Sequence, residues 1–318
     1  MNFKNCADEA SSVWSRLGKM WSQTGSRFSG AIGYLKLAFT PIAVTFLLYF
    51  GWQSRETLLT VIRDAQPLYL ASAFLAWIVL HFVAPVLATL ILNACGSPVT
   101  YRFSFKTHAG RLPARYLPGG IWHTVGRMVD FHGEGIKPSH LTVLVFLEIM
   151  LPAAVTLTYG GLFVLYARGF VGWGQVAAFG PLGGILALVV SYLFLNRQTF
   201  RSARPMPLGT YIKCIAVVSF FWLIATTSFI SYLTAFPTAM GASPLLDVAG
   251  AYLFSWGIGY ISLFAPQGIG VFEAVAGNML VTPMSFGEMA ALIAGFRIIS
   301  LVADGVVWGV SRLTYLAS

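Results

Sequence analysis

The chain has 318 residues, of which 57% are hydrophobic and only 10% charged, and a net charge of +9. Soluble domains carry about 25% charged residues, so this composition excludes a soluble globular protein and calls for several membrane spans. The positive balance belongs to basic loops that set topology and attract anionic lipid; no nucleic-acid motif accompanies it.

In chain order, residues 1–33 are polar and carry Lys4, Arg16, Lys19 and Arg27. Val13, Trp14, Leu17, Met20 and Trp21 would share one face of a helix. The segment reads either as a basic amphipathic helix on the membrane surface or as a disordered tail. The first strongly apolar run begins near Leu35, too late for an ordinary signal peptide. Spans are predicted over Leu35–Trp52, Pro67–Leu92, Leu141–Ala167, Gln175–Leu195, Tyr211–Phe236, Leu245–Phe264 and Glu288–Leu313. The stretch 265–286 has no Lys or Arg and either re-enters or partly spans, which gives seven or eight crossings. The fold class is therefore all-α and polytopic: a tail over 1–33 and a single transmembrane domain over 34–313.

The N-terminal tail with Lys36, the 95–138 segment and the 196–213 loop hold 15 Lys and Arg, against 3 in the intervening loops (Arg55, Arg63, Arg168). This bias predicts a cytoplasmic N-terminus in a cell membrane. Cys6, Cys95 and Cys214 have no paired spacing and read as free thiols.

Two segments resemble each other. Pro118-Gly119-Gly120-Ile121-Trp122 recurs as Pro266-Gln267-Gly268-Ile269-Gly270. Each follows a span and precedes a helix-like stretch, a proline (Pro138, Pro283) and a further span. A charge falls at a matching place in that span: Glu148 lies 30 residues after Pro118 and Arg297 lies 31 after Pro266. The spacing predicts two half-repeats, roughly 67–195 and 211–313, whose broken or re-entrant helices meet near a ligand. Proline cannot continue a helix and glycine permits close backbone approach. Irregular backbone at membrane depth must be buried in protein or line a wet cavity, and a helix starting after the glycines aims N–H groups at an anion.

Arg111 and Arg115 are four apart and share a face if their segment is helical, with the helix starting at Pro113; Arg127 follows one short helix later. Guanidinium groups chelate phosphate in a bidentate manner, so these arginines read as a phosphate clamp or as ordinary positive-inside charge. Glu148, Arg297 and Asp304 lie inside predicted spans, where a lone charge costs about 2.5–3.5 kcal/mol. Arg297 and Asp304 are seven apart, too far to pair, so Glu148 or Glu273 facing an arginine across helices is expected. Glu273 is placed to cap the helix after Gly270. His81, His123 and His132 read as interfacial or hydrogen-bonded core residues. No catalytic triad, metal motif or cofactor motif is found.

Arg115-Tyr116-Leu117-Pro118-Gly119-Gly120-Ile121-Trp122 with Gly126-Arg127 resembles the first signature of the lysylphosphatidylglycerol synthase transmembrane family. Pro266-Gln267-Gly268-Ile269-Gly270-Val271-Phe272-Glu273 resembles its second signature, Pro-Gly-Gly-hydrophobic-Gly-x-x-Glu. The resemblance runs from about residue 35 to 313 and includes an acidic and a basic residue at the positions of Glu148 and Arg297. It implies a polytopic fold with pseudo-repeated halves and re-entrant segments, acting as a flippase for a modified phospholipid. Ser318 follows the last span closely, so the aminoacyl-transferase domain of the best-understood members is not expected. Gln267 stands in place of the usual glycine and Phe272 where a basic residue is common, so the lipid itself does not carry over.

Three functions follow as expectations. The leading one is a lipid translocase. Its substrate-binding residues would be Arg111, Arg115, Tyr116, Gly119, Gly120, Trp122, Arg127, Gln267, Gly268, Gly270 and Glu273, with Glu148, Arg297 and Asp304 as cavity or gating charges. The second is an enzyme transferring lipid-linked phosphate or sugar, with Asp130 and Glu134 as its nearby acids. The third is an accessory subunit docking a lipid or glycan biosynthesis enzyme.

Overall fold

The computed structural model describes residues 55–116, 121–197, 205–241, 243–262 and 268–316, with a few isolated positions before them. The expected first span, the amphipathic stretch 13–21, and Gly119, Gly120 and Gln267 lie outside the described residues. Among the described residues the protein is all-helical. The helices are α1 (Arg55–Arg63), α2 (Pro67–Ala94), α3 (Tyr101–Gly110), a 3-10 turn (Leu112–Tyr116), α4 (Trp122–Gly133), α5 (Pro138–Arg168), α6 (Trp173–Ala177), α7 (Phe179–Leu195), α8 (Leu208–Thr234), α9 (Pro237–Met240), α10 (Leu245–Ile261), α11 (Val271–Met279) and α12 (Phe286–Leu316).

Five of these stretches are long and apolar enough to cross a membrane: α2, α5, α6 with α7, α8 and α12. The expected sixth span is the shorter apolar helix α10, of 17 residues. The expected fourth span is α6 with α7, joined at Ala178, whose backbone is right-handed helical and whose N–H bonds the Gly174 carbonyl. Prolines fix several starts. Pro67 and Pro138 occupy the first turns of α2 and α5, where the missing N–H has no helical partner to lose.

The core is built by long-range pairs: α2 lies along α8, and α5 lies along both α10 and α7. Lipid supplies no hydrophobic drive between spans, so small residues bring backbones together. A Cβ on Gly160 would strike the Phe254 backbone, one on Gly250 would come 2.8 Å from Val164 N, and one on Gly257 would come 2.6 Å from the Leu157 side chain. Outward faces of α7 are apolar and exposed, as at Leu182, Leu186 and Val190, which suits contact with acyl chains. Cys95 and Cys214 are buried free thiols.

Candidate charged site

Helix α3 opens with a side-chain cap, the Thr100 hydroxyl accepting from Phe103 N–H at 3.3 Å. It ends at Arg111, and the chain tightens into the 3-10 turn. Three residues per turn place positions four apart about 120° from each other, so Arg111 and Arg115 do not share a face as expected. Arg111 turns to Asp130 on α4, donating from Nε and Nη2 at 2.8 and 2.5 Å. Gly126 makes room for this, since a Cβ there would lie 2.9 Å from Arg111 Cδ. The Asp130 hydrogen bond holds the Arg111 guanidinium above its ordinary pKa. Asp130, one of the two acids named for the enzyme reading, is thus the partner of Arg111.

Arg115 turns to Asp304 on α12, 1% exposed. Arg115 Nη1 and Tyr116 Oη both donate to Oδ2 at 3.0 Å. Trp77 Nε1 donates to Oδ1 at 3.2 Å, and His81 Nε2 lies 2.9 Å from the same oxygen. His81 Nδ1 stands 3.2 Å from His108 Nε2, and the His123 ring meets His108 edge-on at 5.4 Å. One buried carboxylate on α12 thus gathers groups from α2 and the 3-10 turn.

Arg127 on α4 is buried and pairs with Glu148 on α5, Nη1 and Nη2 donating at 3.0 and 2.8 Å. On α11 the carboxylate is the buried partner: Glu273 is 0% exposed. Its Oε1 accepts from Arg297 Nε of α12 at 2.5 Å, and its Oε2 accepts from Gly270 N–H at 2.7 Å. The expected cap and the expected cross-helix pairs of Glu148 and Glu273 are therefore present. Gly268 and Gly270 have φ of 66° and 84°, a region that disfavours side chains. Gly268 also packs on Gly259 of α10, where an added Cβ would come within 3.1 Å. These glycines shape backbone. Trp122, at the start of α4, is 47% exposed, as is Tyr116.

Reading the sequence missed Trp77, His81 and His108 as partners of the site. A signal was present. Pro85 and Pro152 sit inside α2 and α5, each four residues after a site side chain. Proline gives no N–H to the carbonyl four residues back, so the His81 carbonyl in α2 and the Glu148 carbonyl in α5 each lack that helical bond while the helices continue.

A further pair, Arg168 with Asp247, closes the far end of α5 at 2.6 and 2.8 Å. Arg168 also donates to the Met279 carbonyl. An open, apolar recess of 470 Å³ beside Asp247, lined by Gly241, Pro244 and Val281, is remote in sequence and element from the arginine cluster. No family model matches the chain, and no curated protein matches it.

Proposed function

We propose that the protein is a lipid translocase that carries a phosphate-bearing lipid or lipid-linked precursor between leaflets, resembling the flippase module of the lysylphosphatidylglycerol synthase family. The observation that carries the reading is a partly exposed guanidinium beside a carboxylate that other donors also hold. The Arg115 side chain is 35% exposed and donates from Nη1 to Asp304 Oδ2. Asp304 is held separately by Trp77 and Tyr116, with His81 beside it. A phosphate can take Arg115 without leaving a bare carboxylate behind, because hydrogen-bonded neighbours still satisfy Asp304. Arg127 differs: it is 6% exposed on its side chain and doubly bonded to Glu148. Arg115 is the group that exchanges carboxylate for substrate, and Arg127 is the fixed charge behind it. Buried charges within apolar spans are expensive and mark substrate paths.

The two-half reading supports the same mechanism. α2, α4 and α5 correspond in order to α8, α11 and α12, and α5 and α12 each have 31 residues. Each short helix, α4 or α11, places one charge against the long helix that follows it. Movement of one half against the other would open Arg115–Asp304, the bond between α12 and the 3-10 turn of the first half. In this account the headgroup crosses between the halves while the tails stay in lipid. The N-terminus faces the cytoplasm, and the partner is a membrane lipid from a lipid or glycan biosynthesis route.

Native mass spectrometry of detergent-purified protein tests this. Wild type is expected to retain one phospholipid or isoprenoid phosphate, Arg115→Ala to lose it, and Arg115→Lys to retain part of it. Equal retention by wild type and Arg115→Ala would overturn the assignment of Arg115.

A further inference from the structure

Behind Asp304 stand two buried histidines that the exchange at Arg115 does not use. His81 of α2 and His108 of α3 are 2% and 7% exposed. His81 reaches both ways: its Nε2 lies 2.9 Å from Asp304 Oδ1, and its Nδ1 lies 3.2 Å from His108 Nε2. Each ring nitrogen of His81 thus faces a titratable partner, and the three groups are strung end to end across α12, α2 and α3. His123 of α4, only half-buried, sets its ring edge-on to His108 at 5.4 Å.

The carboxylate sets the tautomers. An ionised carboxylate only accepts hydrogen bonds, so His81 presents N–H to Asp304 at Nε2. A neutral ring then has a lone pair at Nδ1, and His108 donates to it from Nε2. This pattern reverses without moving a heavy atom. A proton arriving at His108 Nδ1 lets His108 pass its Nε2 proton to His81 Nδ1, and His81 pass its Nε2 proton to Asp304 Oδ1. One proton has entered and one has been delivered. Both rings are neutral again, now carrying hydrogen on Nδ1, and each bond in the row points the other way. Burial, with His123, Arg127, His81 and Arg115 around it, holds His108 well below its ordinary pKa, so this ring is a neutral carrier and not a resting charge. The other charged or titratable groups facing the row are Arg115 and Tyr116 of the 3-10 turn and Arg127 and His123 of α4. Glu148 of α5 pairs with Arg127, and Tyr260 of α10 lies in the field of Arg115.

We infer that His108, His81 and Asp304 form a proton wire, which delivers a proton to Asp304 as an anionic headgroup draws Arg115 away, so that substrate and proton bind together. Trp77 and Tyr116 answer the hydrogen bonds of Asp304 but carry no charge. Once Arg115 turns to a phosphate, a proton is what neutralises the carboxylate, since a buried unpaired charge is strongly disfavoured. Chains of acidic and histidine side chains within apolar spans serve proton movement in pumps and transporters. The wire itself stands on this geometry; its use in driving lipid across rests on the translocase reading.

The test is 15N NMR of the full chain labelled with 15N-histidine, in neutral detergent, which reads the tautomer of each ring. The five histidines are sorted with His81→Gln and His108→Gln. Arg115→Gln withdraws the guanidinium as a bound phosphate would. Wild type is expected to keep His81 and His108 as Nε2–H rings between about pH 8 and pH 5. In Arg115→Gln both rings should exchange to Nδ1–H as the pH falls, at one shared midpoint, and adding His81→Gln should release His108 from that midpoint. Rings that keep one tautomer in Arg115→Gln throughout this range, or that exchange at separate midpoints, would overturn the inference. A second readout leaves Arg115 in place: flipping of fluorescent phosphatidylglycerol in proteoliposomes under an imposed pH gradient. Wild type should respond to the gradient and His81→Gln, which keeps an N–H toward Asp304 but cannot relay a proton, should lose the response. A His81→Gln protein as responsive as wild type would also overturn the inference. Protein that flips lipid with its rings locked breaks this inference alone; protein whose rings exchange but that flips nothing breaks the translocase reading alone.

Discussion

The two short helices that follow the glycine breaks solve one problem with opposite signs. On α4 a buried arginine, Arg127, meets a glutamate on the next long helix; on α11 a buried glutamate, Glu273, meets an arginine on the next long helix. The difference lies in what each leaves at the helix start. Glu273 turns back to the Gly270 N–H and closes its own helix N-terminus. Among the described residues α4 has no side-chain cap, and Arg115 and Tyr116 precede it in the 3-10 turn. An uncapped N-terminus flanked by guanidinium groups attracts an anion, whereas a capped one is already satisfied. Under the translocase proposal, first substrate contact falls to the α4 side, while the α11 N-terminus is already satisfied by Glu273.

The comparison breaks most severely at Asp304. Asp304→Ala strips the acceptor from Arg115, Tyr116 and Trp77 at once. Removing one partner of a buried pair costs about 3–5 kcal/mol, so thermal unfolding in detergent should show a loss at least that large. Asp304→Asn keeps one acceptor and should recover part of it. A loss below about 1 kcal/mol, the value of an exposed pair, would mean that this carboxylate does not hold the halves together.

Reversing the first half's sign sharpens the comparison. Arg127→Glu or Glu148→Arg alone buries like charges and should cost about 3–5 kcal/mol. Combining both should restore much of the stability, giving α4 the sign pattern of α11, yet leave liposome flipping absent. A doubly exchanged protein that flips lipid at the wild-type rate would show that the sign on α4 is irrelevant to substrate.

Glu273→Gln should cost less, about 1.5–3 kcal/mol for a hydrogen bond to a charged group, because an amide oxygen can still accept from Gly270. Thermal unfolding reads this directly, and a loss equal to that of Arg127→Glu would erase the asymmetry between the halves. Arg168→Gln should lower the unfolding temperature and leave flipping per folded molecule unchanged, since the Arg168–Asp247 pair joins α5 and α10 outside the arginine cluster. Trp173→Phe, which loses one exposed hydrogen bond to Asn278, should fall within about 0.5 kcal/mol of wild type.

The spans were legible because lipid-facing helices are apolar on all sides, so hydropathy alone finds α2, α5, α8 and α12. In-span charges were legible for the same reason: Glu148, Arg297 and Asp304 stand out against apolar neighbours. Their partners were less so. An arginine across helices was expected for Glu148 or Glu273 because a lone charge in a span is costly, but Asp304 collects donors up to 227 residues distant, and no local pattern encodes that. α3 escaped notice because Arg102 and Lys106 made its segment look like a basic loop, although Thr100 is a good cap. The divergence of Arg111 from Arg115 was hidden because α-helical and 3-10 spacing look alike in five residues.

The central claim is that Arg115 hands the phosphate group across while Arg127 holds the site. The most direct measurement is flipping of a fluorescent phosphatidylglycerol in proteoliposomes, comparing wild type, Arg115→Ala and Arg115→Lys, with thermal unfolding of each in parallel. The account predicts that Arg115→Ala stays folded and loses flipping, and that Arg115→Lys retains a fraction of it. An Arg115→Ala protein that flips the lipid as fast as wild type would contradict the account.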